Sequence, residues 1–146
     1  MGTMALERTI DDLVAGTAAR SGEPWNPPAE LLELGDGLIV ELVEMFKTDT
    51  ARSLSRIGDL LSRGNFDGVK AAAHTIKGAA RQMGANAVAS ICEEVEATAR
   101  QASASNLEER VALLRAAFSN ICVEMAGFSA SVETSALQFA GPEDGD

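Results

Sequence analysis

The sequence predicts an all-α protein, an antiparallel four-helix bundle preceded by an extra N-terminal helical segment. Hydrophobic residues make up 46% of the 146 residues, yet aromatic residues make up only 4% and tyrosine is absent. That balance favours close-packed helices over a sheet. Apolar residues also recur at intervals of three and four along four long stretches. The connections between these stretches are short, which predicts antiparallel neighbours within one domain.

The chain divides into three predicted parts. Residues 1–26 form an N-terminal arm or a short docking helix, since apolar residues there follow a helical spacing over a narrow face. The bundle itself spans 27–133, and Pro28 is well placed to open its first helix. Residues 134–146 are expected to be an acidic, disordered tail. The apolar residues of the arm are Leu6, Ile10, Leu13 and Val14.

Two long amphipathic helices come first in the bundle. The first runs from 38 to about 62, ends at Gly64, and is followed by Asn65 as the cap of the second. The second runs from Phe66 until Gly84 stops it. The apolar stripe of the first helix is Leu38, Leu42, Met45/Phe46, Leu54, Ile57 and Leu61. The stripe of the second is Phe66, Val69, Ala73, Ile76, Ala80 and Met83.

Two further helices complete the bundle. The third reaches about Arg100, and the fourth is expected to begin at a capping box formed by Asn106 and Glu109. The stripe of the third helix is Val88, Ile91, Cys92 and Val95. The stripe of the fourth is Leu107, Val111, Leu114, Phe118, Ile121, Met125 and Phe128.

Charge excludes several functions. The formal net charge is −10 and the sequence pI is about 4.5, which argues against general affinity for nucleic acid or anionic lipid. No uninterrupted apolar run approaches the roughly 20 residues needed to cross a bilayer. Nothing at the N-terminus resembles a secretory signal, so we expect a cytoplasmic protein without a membrane partner.

Metal and disulfide chemistry are not expected. Cys92 and Cys122 fall on apolar helical faces, where plain buried thiols are the favoured interpretation. One histidine and two separated cysteines leave zinc without a plausible ligand set. We therefore predict no metal site and no cofactor.

The second helix presents a distinctive surface. One group of its residues lies roughly 115° around the helix from the buried stripe and so faces water. No carboxylate occurs between Asp67 and Glu93, although the protein as a whole is acidic. The result is a predicted cationic strip around the single histidine, to which an anion would bind. The group is Lys70, His74, Lys77, Gly78 and Arg81.

The presence of Gly78 calls for an explanation, because glycine inside an alanine-rich helix lowers helix stability by about 1 kcal/mol relative to alanine. It lies one turn from His74 on the same face, where the missing Cβ would let a large partner approach the imidazole. The alternative is that glycine lets a neighbouring helix pack closely. The two explanations are compatible.

The turn at 84–86 pairs the second and third helices. If they are antiparallel, Glu96 lies beside His74 and Arg100 beside Lys70. A carboxylate bonded to one ring nitrogen would fix the tautomer and leave the other nitrogen free as a nucleophile. The alternative for Glu96 is a solvated helix charge.

No further acid, base or nucleophile is grouped near His74, so hydrolase triads and general acid/base pairs are poorly supported. No glycine-rich loop follows a predicted strand, so a nucleotide site is not expected either. Whatever group His74 accepts must be delivered by a partner.

The residues from His74 to Gly84, HTIKGAARQMG, followed by Val88, Cys92, Val95 and Glu96, resemble the histidine-containing phosphotransfer (HPt) domain of two-component phosphorelays. That family has the pattern H-x-x-K-G, then glycine, an aliphatic residue, cysteine, and an aliphatic residue followed by glutamate. The resemblance extends from about 29 to 128. Val88 and Val95 stand where leucine is commoner, and Arg81 and Gln82 replace small or polar residues, which bears on partner preference.

The resemblance implies a phosphorelay shuttle. His74 would receive a phosphoryl group from a receiver-domain aspartate and pass it to another, with Lys77 offsetting charge and Gly78 giving clearance. Glu96 would orient the imidazole, and Arg81 and Arg100 are further candidates at the site. Such a protein is a stoichiometric phosphocarrier rather than an enzyme, and magnesium would belong to the receiver. The expected partners are receiver domains of response regulators, a hybrid histidine kinase, or both.

Other interpretations remain open on sequence. The chain contains no kinase or receiver domain, so it is either a free-standing shuttle, expected to be a monomer, or a piece of a larger hybrid kinase. A phosphate-independent helical adaptor could use the same helix to bind receivers or kinases. A purely structural bundle or homodimer is a third possibility. Docking would use small and apolar residues near His74, namely Ala71, Ala79 and Met83 where exposed.

Overall fold

The protein, in a computed structural model that describes the backbone of residues 25–145 and the side chains of 25–134, is helical with no strand in that part of the chain. The all-α prediction is confirmed. The helices, numbered here in chain order, are α1 Ala29–Leu32, α2 Asp36–Ser62, α3 Phe66–Gln82, α4 Asn86–Arg100 and α5 Ala104–Gly145.

Helices α2 to α5 form the predicted four-helix bundle. Packing joins α2 to α3, α3 to α4, α4 to α5, and α5 back to α2, so the four helices enclose one core. Every helix contributes aliphatic side chains with essentially no exposure. The largest of these are Ile39, Ile57, Ile76, Leu107, Leu114 and Met125.

The two predicted glycine turns are confirmed. Gly64 and Gly84 adopt φ values of +70° and +71°, a region that glycine enters without the steric cost of a Cβ. The Asn65 cap is also confirmed, because its side-chain oxygen accepts a hydrogen bond of 2.9 Å from the Gly68 amide. These turns are tight, which fixes the antiparallel pairing of α3 with its neighbours.

The predicted capping box at the start of the last helix is wrong. The chain reverses at Ala102, which has a φ of +55°, and α5 begins at Ala104. The carbonyl of Ser103 accepts the first helical hydrogen bond from Leu107. Asn106 therefore already lies inside the first turn, because the reversal brings the chain into helical geometry three residues earlier than expected.

The stripe at the start of α2 was assigned one residue out of register. Ile39, Val43 and Phe46 are buried, whereas Leu38 and Met45 are exposed. Each buried residue directly follows or is followed by another apolar side chain, so the spacing alone fits two adjacent faces. The contacts of α2 with its neighbours select the face that carries Ile39.

The ordered core begins earlier than residue 27. The Trp25 side chain is buried, and its indole N–H donates to the Met83 carbonyl at 2.8 Å. Its ring also packs edge-on against Phe128, with centroids 5.5 Å apart. Pro28 contacts the backbone at Gly84, where an added Cβ would lie 2.9 Å from its ring. Trp25 thus fastens the start of the domain to the α3–α4 turn.

The structure describes the two ends of the chain to different extents. The predicted helical segment within residues 1–24 lies outside the described residues. At the other end, the backbone of α5 continues as helix to Gly145, past residue 134, where the acidic tail is expected to begin. Residues 135–140 contain no glycine or proline to stop the helix. The domain boundaries as a whole stay predictions.

One helix meets a length and composition test for crossing a membrane. A window of α5 within Ala104–Thr134 has a mean hydropathy of 1.4. Charged and polar residues such as Arg115, Asn120 and Glu124 interrupt it, so it is no uninterrupted apolar run. A core helix passes the same test, and α5 supplies Leu107 and Leu114 to the core. The test is therefore weak evidence for a membrane span.

Candidate functional site

His74 lies in the middle of α3, on the face opposite the core. The helix buries Val69, Ala73, Ile76 and Ala80, and this stripe turns the imidazole outward. The His74 side chain is 70% exposed. The exposure predicted from the helical angle is confirmed, and a large partner can reach the ring.

Glu96, from α4, contacts the imidazole. Its Oε1 lies 3.0 Å from His74 Nδ1, and its side chain is only 7% exposed. The tight turn at Gly84 sets positions 74 and 96 at the same height, as the sequence predicts. The alternative of a solvated charge is wrong, because the Glu96 carboxylate lies in the seam between the two helices.

Lys77 also contacts Glu96. Its Nζ lies 2.6 Å from Glu96 Oε2, and its side chain is 15% exposed. The prediction that Lys77 faces water is therefore wrong, because the ammonium turns into the seam to pair with the buried carboxylate. One carboxylate serves both basic groups, with one oxygen on each.

The buried carboxylate is ionised. Burial raises the pKa of Glu96, but the hydrogen bonds and charges of Lys77 and His74 outweigh burial and hold this pKa below its ordinary value. Directly beneath, Cys92 is buried. Burial, reinforced by the charge of Glu96 and opposed by Lys77, raises the pKa of the Cys92 thiol to about 12. The Cys92 thiol therefore stays uncharged next to the charged cluster.

The ionised state of Glu96 assigns the ring tautomer. A carboxylate can only accept hydrogen bonds, so the proton of a neutral imidazole lies on Nδ1. The lone pair is then on Nε2, at the exposed edge of the ring. His74 is therefore a nucleophile whose free nitrogen points away from the bundle.

Arg81, one turn after Lys77 on α3, pairs with Glu93, one turn before Glu96 on α4. Both side chains are more than half exposed. The predicted cationic strip is therefore largely neutralised, because α4 supplies carboxylates that the gap between Asp67 and Glu93 does not reveal. Sequence reasoning overlooked Glu93, although the α3–α4 pairing places it opposite this part of α3.

Side-chain direction explains which carboxylate each cation reaches. Cβ atoms on a helix tilt toward its N-terminus. On α3 that direction leads toward the C-terminal end of the antiparallel α4. Lys77 accordingly contacts Glu96 rather than Glu93, its opposite by height, and Arg81 contacts Glu93.

Two other predicted cations lack such pairing. Arg100 is exposed and Lys70 is half-buried, and neither forms an ion pair among the described side chains. By register, Lys70 lies one turn before His74 on α3 and Arg100 one turn after Glu96 on α4. Their part in the site stays a prediction.

Gly78 lies in open space. A Cβ built on Gly78 would have no heavy atom within 4 Å outside its own stretch of helix. Close packing of a neighbouring helix is therefore the wrong explanation within the described part of the chain. The other explanation, clearance for a molecule that approaches from outside, stays a prediction.

The residues expected to surround the docking point divide by exposure. Ala71 is exposed, Ala79 is half-buried and Met83 is buried. Met83 is thus withdrawn from any docking surface, because it belongs to the core and its carbonyl accepts from Trp25. Because Ala71 has a small side chain and Gly78 has none, these two residues present only a small steric barrier beside the imidazole.

The described residues contain no group of three His, Cys, Asp or Glu side chains that could hold a metal ion. Among the groups at this site, the imidazole offers a nucleophile and the lysine and arginines offer cations. This set suits the acceptance of a phosphoryl group.

Comparison with known proteins identifies the family. The Hpt domain family model matches residues 41–123, more than half of the chain. The chain belongs to the Hpt domain family. Members of this family act as phosphocarriers in histidine phosphotransfer and interact with receiver domains and kinases in phosphorelays.

A solved structure supports the fold. The X-ray structure of a rice protein described as a histidine-containing phosphotransfer protein matches with a TM-score of 0.69 and 24% sequence identity. The match covers 89% of this chain and 95% of the rice chain. No curated protein matches the sequence.

Proposed function

We propose that this protein relays a phosphoryl group between receiver-domain aspartates through Nε2 of His74. The observation that carries the proposal is the exposed imidazole whose Nδ1 is held by a buried, ionised Glu96. That arrangement presents one nitrogen lone pair to a partner and gives the ring a fixed orientation.

The reaction needs no other group to form a covalent bond. The Nε2 lone pair forms a bond to phosphorus as the bond between phosphorus and the aspartyl carboxylate oxygen breaks. The receiver's carboxylate leaves with that electron pair. The Nδ1 proton stays in its hydrogen bond to Glu96, whose charge stabilises the positive ring that results. Transfer to a second receiver reverses these steps.

The cations of the site offset charge on the phosphoryl oxygens. Lys77 lies in the imidazole cluster, and Arg81, which is paired with Glu93, and Arg100 are the further cations proposed to meet the partner or its phosphoryl group. Phosphoryl transfer depends mainly on positioning and charge stabilisation, so these groups suffice. Magnesium would be supplied by the receiver.

Docking would use the surface formed by the small residues Gly78 and Ala71 beside the imidazole. We propose a modest, transient interface, since a shuttle must release one receiver before it engages the next. The partner would be a response-regulator receiver, the receiver of a hybrid histidine kinase, or both. Action as a monomer and a cytoplasmic location fit this function and stay predictions.

The test is transfer from phosphorylated receiver domains. A panel of receivers, each radiolabelled at its aspartate in the presence of Mg²⁺, is mixed with wild type, with His74→Gln, and with Ser55→Gln as an exposed control on α2. We expect an acid-labile, alkali-stable label on wild type and on Ser55→Gln, and none on His74→Gln.

Two results would count against the proposal. Label that persists on His74→Gln would reject His74 as the acceptor. Binding of receivers with no transfer from any of them would favour the phosphate-independent adaptor, which uses the same helix without the chemistry.

A further inference from the structure

The unusual feature of the site is that one carboxylate serves two basic groups. Glu96 Oε1 lies 3.0 Å from His74 Nδ1, and Oε2 lies 2.6 Å from Lys77 Nζ. Lys77 is therefore paired inward in the unphosphorylated protein. The cation expected to offset phosphoryl charge is already occupied.

We propose that Glu96 competes with the phosphoryl group for Lys77 and thereby sets how readily phosphohistidine gives up its phosphoryl group. The inference rests on the proposed function and deepens it. Glu96 is a positioning residue in this account, since it acts through the ring and through the ammonium rather than on phosphorus.

Geometry permits the exchange. His74 and Lys77 are three residues apart on α3, so their Cβ atoms are neighbours at about 5–6 Å. The lysine stem is flexible and its ammonium has three donors. A phosphoryl group on Nε2 brings about two negative charges next to that ammonium. In the proposed competition, contact of Lys77 with the phosphoryl oxygens loosens its contact with Glu96.

Charge gives the direction of the effect. When the imidazole is neutral, the ammonium of Lys77 and the carboxylate of Glu96 balance each other before transfer. After transfer, the phosphoryl oxygens and the Glu96 carboxylate both draw on one ammonium. The Lys77–Glu96 ion pair therefore favours the unphosphorylated state, whereas the Nδ1–Glu96 hydrogen bond favours the positive, phosphorylated ring. The proposed competition requires the ion pair to be the larger of the two effects, which makes phosphohistidine a better donor.

The same chain offers a matched comparison in Glu93. It lies one turn away on α4, pairs with exposed Arg81, and touches neither His74 nor Lys77 in the described contacts. Glu93→Gln removes the same charge as Glu96→Gln. Glutamine at 96 can still accept from Nδ1 through its amide oxygen, so it keeps the ring orientation while it releases Lys77.

The first measurement is the equilibrium ratio of phosphohistidine to receiver aspartyl phosphate, with a receiver that labels wild type. We expect Glu96→Gln to raise this ratio by about tenfold, the size of one hydrogen bond to a charged group. Glu93→Gln should leave it within about twofold. In a Lys77→Met background, Glu96→Gln should not raise the ratio at all.

The second measurement needs no receiver and no substitution at Lys77. Protein labelled with ¹⁵N-lysine is phosphorylated chemically with phosphoramidate, and the Lys77 Nζ resonance is followed by NMR. We expect this resonance to shift on phosphorylation, and to lie nearer its phosphorylated position in unphosphorylated Glu96→Gln. This NMR measurement can be made even if Lys77→Met does not fold.

Each failure has its own meaning. An unchanged Lys77 resonance, or an equal effect of Glu96→Gln with lysine or methionine at 77, would overturn the competition and leave the relay intact. Failure of every receiver to label wild type would count against the relay, while the NMR measurement would still report on the ion pair.

Discussion

Two cation–carboxylate pairs join α3 to α4 one turn apart, and they differ most clearly in burial. Lys77 and Glu96 are 15% and 7% exposed, whereas Arg81 and Glu93 are 57% and 54% exposed. The buried pair also includes the imidazole of His74. The exposed pair has no such third member among the described contacts.

The difference shows that two ion pairs at similar positions in the sequence can differ greatly in how strongly their charges are screened. Water screens the exposed pair, so either member can be lost at little cost. In the buried pair, each charge depends on the other because neither can be solvated in its place. A change at the buried pair is therefore felt by the imidazole, and a change at the exposed pair is not.

The largest expected effect comes from removing each cation in turn. Lys77→Met leaves Glu96 buried without its ammonium and should lower the free energy of unfolding by about 3 kcal/mol. Arg81→Met should lower it by less than about 1 kcal/mol. Urea denaturation monitored by circular dichroism measures both. Equal effects at the two positions would mean that burial does not separate the pairs.

The pH dependence of stability distinguishes the pairs next. Because the pKa of Glu96 is lowered in the folded protein, its stabilising contribution is complete above the ordinary value of 4.5. That contribution is lost as the pH falls through the lower folded pKa. Glu96→Gln should therefore flatten the acid limb of unfolding free energy against pH.

The control is Glu93→Gln, which removes an exposed carboxyl with the same change of charge. Its acid limb should follow that of wild type. Equal flattening by both variants would show that the buried carboxyl is not specially stabilised by Lys77 and His74.

Gly78 lies on the α3 surface between the two cations and tests access to the site. Gly78→Ala should stabilise the fold by about 1 kcal/mol, since it removes an exposed helical glycine with open space at its Cβ. The same variant should slow transfer from a receiver by about tenfold or more, because misplacement of the reacting groups by even 1 Å is costly. Thermal unfolding and transfer kinetics measure the two effects. Greater stability with unchanged transfer would support a purely structural bundle.

The smallest expected effect concerns the thiol under the buried pair. Cys92 is fully buried with a pKa raised to about 12, whereas Cys122 is only partly buried. In the native protein, iodoacetamide should modify Cys122 first, followed by mass spectrometry of peptides. Lys77→Met should not expose Cys92 unless the seam opens. Faster modification of Cys92 than of Cys122 would contradict the described packing.

Much of the fold follows from the sequence because its signals are local. The glycine turns at 64 and 84 and the Asn65 cap depend on nearby residues, and they were predicted correctly. The face of α2 was not, since Leu38 and Ile39 are equally apolar and only the neighbouring helices choose between them. The start of α5 depended on the reversal at Ala102, for which alanine carries no signal.

The site was predictable where register fixes it and unpredictable where side-chain direction does. The pairing of positions 74 and 96 follows from the turn, so Glu96 was found. That Lys77 turns inward and that Arg81 meets Glu93 depend on the tilt of side chains along α3 and on the depth of the seam. The burial of Trp25 was not predicted from the sequence, because its partners Met83 and Phe128 are distant along the chain.

The most direct test of the account is which ring nitrogen of His74 carries the phosphoryl group. His74 is the single histidine of the sequence, so a ¹⁵N-histidine-labelled sample gives one set of ring resonances. Long-range ¹H–¹⁵N NMR before and after treatment with phosphoramidate should show a proton on Nδ1 throughout and phosphorylation at Nε2. Phosphorylation at Nδ1, or a free protein whose proton lies on Nε2, would contradict the role assigned to Glu96.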